Sequence, residues 1–340
     1  MHSYRPDIDG LRALAILPVL FFHAGLGLFE GGYVGVDVFF VISGFLITRI
    51  IYGEIVAGNF SILKFYERRA RRILPALFAV CLFSFVMAWW LFVPLDFKDF
   101  SRSLAAAMLF ASNILFMDET GYFAAPSEIK PLLHTWSLAV EEQYYIVFPL
   151  LLAVAARFFK AYIGMFVILL LATSFVACVW ATGYRPVYAF FLSPTRAWEL
   201  LIGSVLAVGV LPVIDNRQML NGLSVLGLGL VLGSIFLFSA DTSFPGWQAA
   251  IPCIGAGLLI YVNGSGETIG ARILSFKPFV WSGLISYSLY LWHWPLIVFA
   301  KYHSGGELPS AALWGLIGLS VVAAALSWKF IEQPFRQKTN

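Results

Sequence analysis

The chain has 340 residues, of which 60% are hydrophobic and only 12% are charged, and its mean hydropathy is +0.83. A soluble domain carries about 25% charged residues, so this composition excludes a water-soluble globular protein and predicts an integral membrane protein. The net charge of +3 is small and the basic residues cluster, which argues against a nucleic-acid-binding protein. The three cysteines lie inside apolar runs without a CxxC pattern, so we expect neither a disulfide framework nor a metal site.

Uncharged runs near 20 residues predict ten transmembrane helices. The predicted spans are 13–29, 31–48, 73–95, 136–156, 161–184, 197–214, 218–240, 245–262, 279–300 and 308–328. No small-residue cleavage site follows the first apolar run, which we therefore interpret as a permanent span rather than a signal peptide. A shorter uncharged run, 103–117, is expected to be a re-entrant or outer-face segment. The predicted fold is an all-α polytopic membrane helix bundle with one transmembrane domain over 1–340.

The distribution of lysine and arginine predicts the orientation. With a cytoplasmic N-terminus, ten spans place 16 of the 22 basic residues on the cytoplasmic side, whereas an eleventh span at 103–117 would leave only 12 there. The positive-inside rule therefore favours ten spans with both termini in the cytoplasm. The polar loop 118–131 is then expected outside.

The segment GLRALAILPVLFFHAG, residues 10–25, carries only two titratable side chains, Arg12 and His23. They are eleven residues apart, so a helix directs both to one side, about 16 Å apart along its axis. Polar groups inside a membrane bundle are functional candidates. The alternative is that His23 only hydrogen-bonds a neighbouring helix for packing.

The segment SILKFYERRARR, residues 61–72, joins the second and third predicted spans. Its apolar start and dense basic end predict a short interfacial helix on the cytoplasmic side. One interpretation is an orientation anchor that also binds anionic lipid. The other is a site for a phosphorylated ligand, since the guanidinium fork matches phosphate oxygens.

Several further polar groups are predicted to lie in the outer half of the membrane. His23 and Asp37 are each seven residues from a hairpin turn near Glu30, so Asp37 could orient the imidazole. Asp37 could equally be a residue at the hairpin mouth that only reaches water. The fourth predicted span starts near His134 and carries Glu141 and Glu142, where a structural ion pair is the alternative to catalysis.

Three more candidates lie late in the chain. Arg196 and Glu199 are three residues apart, and we favour a structural pair between them over a catalytic role. His293 falls among aromatic residues that include Tyr287, so it is either a site member or a hydrogen-bonding residue of the aromatic belt. The sequence thus predicts arginines at the cytoplasmic face, and histidines with carboxylates beyond the midplane.

The sequence resembles the acyltransferase-3 family of bacterial membrane O-acyltransferases. Seven pieces in order carry this resemblance: DGLRALAILPVLFFHAG, GGYVGVDVFFVISGFLIT, FYERRARRILPAL, LLHTWSLAVEEQYY, RAWELLIG, ISYSLYLWHWPLIVF and IEQPFR. Together they cover essentially the whole chain, and their common register makes the resemblance specific although each piece alone is weak.

The resemblance implies transfer of an acetyl or other acyl group from a cytoplasmic donor to a hydroxyl of an extracytoplasmic carbohydrate, free or lipid-linked. It associates Arg12 and His23 with use of the acyl donor, and it aligns the family acid with Glu141. The basic residues that match are Arg68, Arg69 and Arg72. Many relatives continue into an SGNH-type domain, so a separate or fused partner of that kind is expected.

The expected mechanism uses acetyl-CoA as a substrate, with no permanently bound cofactor. Its phosphates would contact the arginines, and His23 would act as general base or as transient acyl carrier, with Asp37 or Glu141 orienting it. His134, Arg196, Glu199, Tyr287 and His293 are expected as acceptor-side or supporting residues. A proton-coupled transporter of a polar solute is the alternative, since buried His and Glu also suit proton relays. A non-catalytic lipid-binding scaffold would leave the Arg12–His23 spacing unexplained.

Overall fold

The computed structural model describes residues 4–119, 129–264 and 268–336. Within these ranges the chain is 83% helical and contains no β-strand, which confirms an all-α fold. Most of the loop 118–131 lies outside the described residues, so its predicted external position stays a prediction.

The described helices follow the apolar runs of the sequence. They are α1 Pro6–His23, α2 Gly35–Val56, α3 Ile62–Leu91, α4 Pro94–Met108, α5 Ser112–Asp118, α6 Thr135–Phe158, α7 Ile163–Tyr184, α8 Pro186–Phe191, α9 Ser193–Val208, α10 Arg217–Leu237, α11 Ala250–Asn263, α12 Ile269–Leu274, α13 Lys277–Leu284, α14 Ser286–Ser304, α15 Ser310–Ser327 and α16 Gln333–Arg336. A 3₁₀ segment, Gly27–Val34, precedes α2, and a π-helical segment, Trp328–Glu332, follows α15.

Each of the ten predicted spans overlaps a described helix, but fewer helices are long enough to cross a bilayer. Among the described residues, six helices are sufficiently long and apolar, or seven when α13 and α14 are counted as one broken span. The apolar helix α11 is shorter, since its 14 residues rise about 21 Å against a hydrocarbon core of about 30 Å. The chain is a multi-pass membrane protein, while ten crossings remain a prediction.

The short uncharged run 103–117 does not form one helix. It divides between α4 and α5, and Phe110 at the break takes a φ of +51°, in the left-handed region that interrupts a helix. The expectation of a short segment at this position, instead of a full span, agrees with this geometry.

The predicted interfacial helix 61–72 is wrong. Its residues form the first third of α3, one helix of 30 residues that continues through Pro75. Thirty residues rise about 45 Å, more than the hydrocarbon thickness. The basic residues therefore lie on a helix that also spans the membrane. The apolar run follows Arg72 directly, so no turn separates the basic residues from the span.

The contacts within the chain divide it into two compact units. The first contains residues 1–22, 26–60 and 143–284, and the second contains 23–25, 61–142 and 285–340. A single domain over 1–340 was predicted from sequence and stays a prediction.

In the first unit, α2 packs closely along α9. A Cβ atom on Gly44 would lie 1.8 Å from the carbonyl oxygen of Leu200, and one on Gly203 would lie 2.1 Å from that of Val41. Only glycine allows the two backbones to approach so closely, as is common between membrane helices. In the second unit, a smaller apolar core joins Ala88, Phe100, Ala107, Leu132 and Phe299.

Candidate active site

His23, the last residue of α1, belongs to a cluster of imidazole rings in the second unit. Its Nδ1 lies 2.9 Å from Nε2 of His293 on α14. The ring centroids are 5.1 Å apart and the ring planes are 15° apart. The side chain of His293 is fully buried, whereas His23 is only partly buried. Of this pair, His23 is therefore the ring that a substrate could reach.

Two further rings border this pair. The Trp294 ring lies 4.6 Å from the His23 ring, and its Nε1 donates a 2.9 Å hydrogen bond to the carbonyl of Lys130. His134, just before α6, is 3% exposed, and its ring lies 5.8 Å from that of His293. Tyr290 supports this position because its hydroxyl donates a 2.7 Å hydrogen bond to the carbonyl of His134. The structure thus brings together the three predicted histidines.

The arginines of α3 occupy two faces of that helix. Arg69 and Arg72 lie within about 40° of the buried Phe65 around the helix axis, so they share its interior face. Arg71 lies about 120° away and pairs with Glu67 at 2.6 Å on the more exposed face. Arg68 is half-buried between these faces. The interior position distinguishes Arg69 and Arg72 as candidates for binding a ligand within the bundle.

The prediction placed both carboxylates of α6 in the outer half of the membrane with the histidines, but Glu142 lies near the arginines of α3. Glu142 is 8% exposed and lies within electrostatic range of Arg69 and Arg72. Glu141, which the family resemblance favours, is less buried. We call the depth of Arg69 and Arg72 the arginine level and the depth of His23, His134 and His293 the histidine level. Glu142 belongs to the arginine level, because it follows His134 by eight residues, a helical rise of about 12 Å.

Helix α14 contacts residues of both the arginine level and the histidine level. Near its start, the Tyr287 hydroxyl donates a 2.9 Å hydrogen bond to the carbonyl of Ile73, next to Arg72 on α3. His293 follows six residues later, which corresponds to a rise of about 9 Å. The backbone positions from which α14 contacts α3 through Tyr287 and contacts His23 through His293 are therefore about 9 Å apart.

A polar cleft lies beside the histidine level. It is small and is lined by Asp96, Asp99, Phe100, Ser103, Glu119, Ile129, Lys130 and Pro131. Lys130 pairs with Glu119 at 2.7 Å, and Tyr302 donates a 2.7 Å hydrogen bond to Asp96. Since the backbone of Lys130 also holds Trp294, one wall of the cleft is linked to a ring that touches His23.

Arg196 in the first unit forms a buried ion-pair cluster. Its guanidinium lies 2.8 Å from Asp37 and 3.0 Å from Glu199. The predicted pairing of Arg196 with Glu199 is confirmed. Oxygen atoms of both acids and the sulfur of Cys253 lie within 4.8 Å of one another, a spacing that could hold a cation. The guanidinium already supplies the compensating positive charge, so the cluster fits a structural role better than a metal site.

Arg12, the other titratable residue of the first apolar segment, lies in the first unit. Its guanidinium is 3.5 Å from Asp9, which also accepts a 2.6 Å hydrogen bond from Tyr4. Partial burial and this hydrogen bond raise the pKa of Tyr4 to about 12, so the hydroxyl stays protonated and donates to Asp9. The acid that holds Arg12 thus comes from the same helix.

Sequence reasoning missed two buried groups of the second unit. Glu332, in the π-helical segment, is 2% exposed and accepts a hydrogen bond from Ser288 of α14. Ser137 donates a 2.6 Å hydrogen bond to the Tyr290 hydroxyl, which itself donates to the His134 carbonyl. The IEQPFR and HTWSL pieces that contain them were noted only as part of the resemblance.

Comparison with known proteins identifies relatives along almost the whole chain. A family model described as an acyltransferase domain matches residues 5–331. O-acetyltransferase OatA of Staphylococcus aureus is 32% identical over 98% of this chain and 58% of its own length. Peptidoglycan O-acetyltransferase OatA of Listeria monocytogenes is 31% identical over 98% of this chain and 56% of its own length.

BcsY of Komagataeibacter xylinus, whose name describes a membrane-bound transacylase, is 33% identical over 97% of this chain and 82% of its own length. No solved structure matches significantly. The chain spans a little over half the length of the OatA proteins but most of BcsY. The extent of the family match and the similarity to BcsY together show that this chain belongs to the acyltransferase-3 family of membrane proteins.

Proposed function

We propose that this protein is an O-acetyltransferase that moves an acetyl group from cytoplasmic acetyl-CoA to a hydroxyl of an extracytoplasmic carbohydrate. Family membership supports acyl transfer, and two relatives are named O-acetyltransferases, one of them for peptidoglycan. The observation that carries the proposal is the partly buried His23 imidazole, held by His293 of α14, the same helix that contacts α3 beside Arg72 through Tyr287.

The donor binds at the arginine level. Arg69 and Arg72 offer paired guanidiniums on the interior face of α3, which suit the phosphates of coenzyme A. Arg68, on the same helix, is a further candidate for these contacts. An elongated pantetheine arm would then extend along α14 and bring the thioester to His23.

His23 carries the chemistry by one of two routes. As a general base, it takes the proton of the acceptor hydroxyl while that oxygen attacks the thioester carbon and the coenzyme A thiolate leaves. As a nucleophile, it forms an N–C bond to the acyl carbon while the C–S bond breaks and the coenzyme A thiolate leaves. The acceptor oxygen then attacks the acyl carbon, the N–C bond breaks, and the released imidazole takes the hydroxyl proton. A quenched single turnover with labelled acetyl-CoA separates the routes, because only the second leaves label on His23.

The acceptor approaches from the polar cleft in this proposal. Carboxylates such as Asp96 and Asp99 accept hydrogen bonds from sugar hydroxyls. The wall formed by Lys130 leads to Trp294 and His23. A separate or fused SGNH-type domain could receive the acetyl group before the final carbohydrate does.

We place the protein in the bacterial cytoplasmic membrane with both termini in the cytoplasm, because this arrangement puts most lysines and arginines inside. The deciding experiment uses the purified chain in lipid nanodiscs with radiolabelled acetyl-CoA. We expect coenzyme A release that increases when solubilised peptidoglycan fragments are added, with label appearing on the fragments. Solute flux without acetyl-CoA consumption would instead identify a transporter and refute the proposal.

A further inference from the structure

The hydrogen bonds of His293 contain information about the protonation of His23. His293 Nδ1 lies 3.0 Å from the carbonyl oxygen of Leu289, four residues earlier on α14. A carbonyl oxygen only accepts hydrogen bonds, so Nδ1 of His293 must carry the proton that makes this bond. In the neutral ring, Nε2 of His293 is then unprotonated and can only accept.

The next bond follows from this assignment. Since Nε2 of His293 accepts, Nδ1 of His23 at 2.9 Å must be the donor. The geometry agrees with a direct hydrogen bond between the rings. The 2.9 Å between the two nitrogens plus the two ring radii nearly equals the 5.1 Å between the ring centroids, so His23 Nδ1 and His293 Nε2 lie on the line between the two rings. Neutral His23 therefore holds its proton on Nδ1 and presents an unprotonated Nε2.

We propose that His293 is a positioning residue that holds His23 in the Nδ1–H tautomer and thereby makes Nε2 its reacting atom. The inference rests on the proposed acyl transfer, and it applies to both routes. As a base, Nε2 receives the hydroxyl proton. As an acyl carrier, Nε2 forms the bond to the acyl carbon.

The surroundings keep this arrangement rigid. The His293 side chain is fully buried, so water does not compete for its Nε2. Trp294, the next residue along α14, packs against the His23 ring and is itself held by the carbonyl of Lys130. Positioning of an imidazole by a second group through Nδ1 is a recurring device in catalytic histidines, where it selects the tautomer and the ring orientation.

Nuclear magnetic resonance of the full chain in nanodiscs, with ¹⁵N- and ¹³C-labelled histidine, tests the proposal directly. The chain has five histidines, so single replacements assign each signal. We expect His23 in the Nδ1–H tautomer in the unaltered protein, without any substrate present. In His293→Leu, loss of the acceptor should shift His23 toward the Nε2–H tautomer. In His293→Gln, the amide oxygen can replace the accepting nitrogen and should retain the Nδ1–H tautomer.

Kinetics provide the second readout. For His293→Leu we expect kcat to fall about 100-fold while the KM for acetyl-CoA changes by less than about threefold, since only the transition-state role is lost. His293→Gln should recover much of this loss. His303→Leu is the matched control, because His303 is exposed on the same helix and should alter neither readout.

An Nε2–H tautomer for His23 in the unaltered protein would overturn the proposal even if both variants failed to fold. An unchanged Nδ1–H tautomer in folded His293→Leu would also overturn it. If the protein transferred no acetyl group at all, the proposed function would fail, and the tautomer measurement would still decide the role of His293 separately.

Discussion

Asp37 and Arg196 are 159 residues apart in the chain, yet their side chains form an ion pair of 2.8 Å in which each is only 1% exposed. Three aromatic rings, of Phe40, Phe190 and Phe244, surround the guanidinium at 5.6–5.7 Å. A buried charge is tolerated only when its partners compensate for lost hydration. The pair therefore ties α2 to α9 and makes Asp37 a structural residue in our interpretation, although sequence reasoning considered it catalytic.

Replacement of Arg196 by methionine should destabilise the protein strongly, because Asp37 and Glu199 would remain buried without their counter-charge. We expect a loss of about 3–5 kcal/mol in the free energy of unfolding, measured by denaturation in mild detergent. Arg71→Met is the control, since the Arg71–Glu67 pair is 38% and 53% exposed and such pairs contribute about 0–1 kcal/mol. Equal losses in the two variants would contradict the structural role of Arg196.

Close packing of α2 on α9 leads to a second prediction. Gly44→Ala should destabilise the protein by about 1–3 kcal/mol, because the new methyl group would overlap the carbonyl of Leu200. Gly229→Ala, in α10, meets nothing within 4 Å and should be neutral or stabilise the helix by up to about 1 kcal/mol. Only Gly44→Ala should therefore lower the unfolding transition, and an equal loss in Gly229→Ala would argue against the close approach.

Local sequence patterns predicted those features that depend on neighbours along the chain. Arg196 and Glu199 are three residues apart on one helix, so their pairing follows from helical geometry. Long uncharged runs likewise predicted the membrane helices. The continuity of α3 was missed because a charged segment next to an apolar run suggests a separate interfacial helix. No residue type shows that a helix continues from such a segment into the span.

Contacts between distant segments could not be predicted. His23 and His293 are 270 residues apart, and each alone fits a packing or belt position as well as a site. The depth of Glu142 depends on how α6 packs against α3, which periodicity does not determine. The family resemblance identified the motifs that contain these residues but did not show which side chains are in contact.

His23→Ala tests the proposed reaction centre. We expect acetyl transfer to fall by about 10²–10⁴-fold, because both routes need the imidazole, while the protein remains folded in the membrane. His303→Ala should leave transfer unchanged, because this residue is exposed and at the far end of α14. Transfer is measured as label on the acceptor, and folding as monodisperse elution in detergent. Undiminished product formation by His23→Ala would remove this residue from the mechanism.

The interior face of α3 leads to the final prediction, which concerns the donor. Arg69→Ala combined with Arg72→Ala should raise the Kd for acetyl-CoA by about 100-fold, since each lost hydrogen bond between charged groups costs about 1.5 kcal/mol or more. The KM for the carbohydrate acceptor should change little. Arg71→Ala is the matched control, because Arg71 lies on the same turn of the helix but pairs with Glu67 on the more exposed face. Binding is measured by isothermal titration with the protein in nanodiscs. If donor and acceptor use weakened equally, or if Arg71→Ala weakened donor binding as much, the arginines would support the fold of α3 rather than hold the phosphates of the donor.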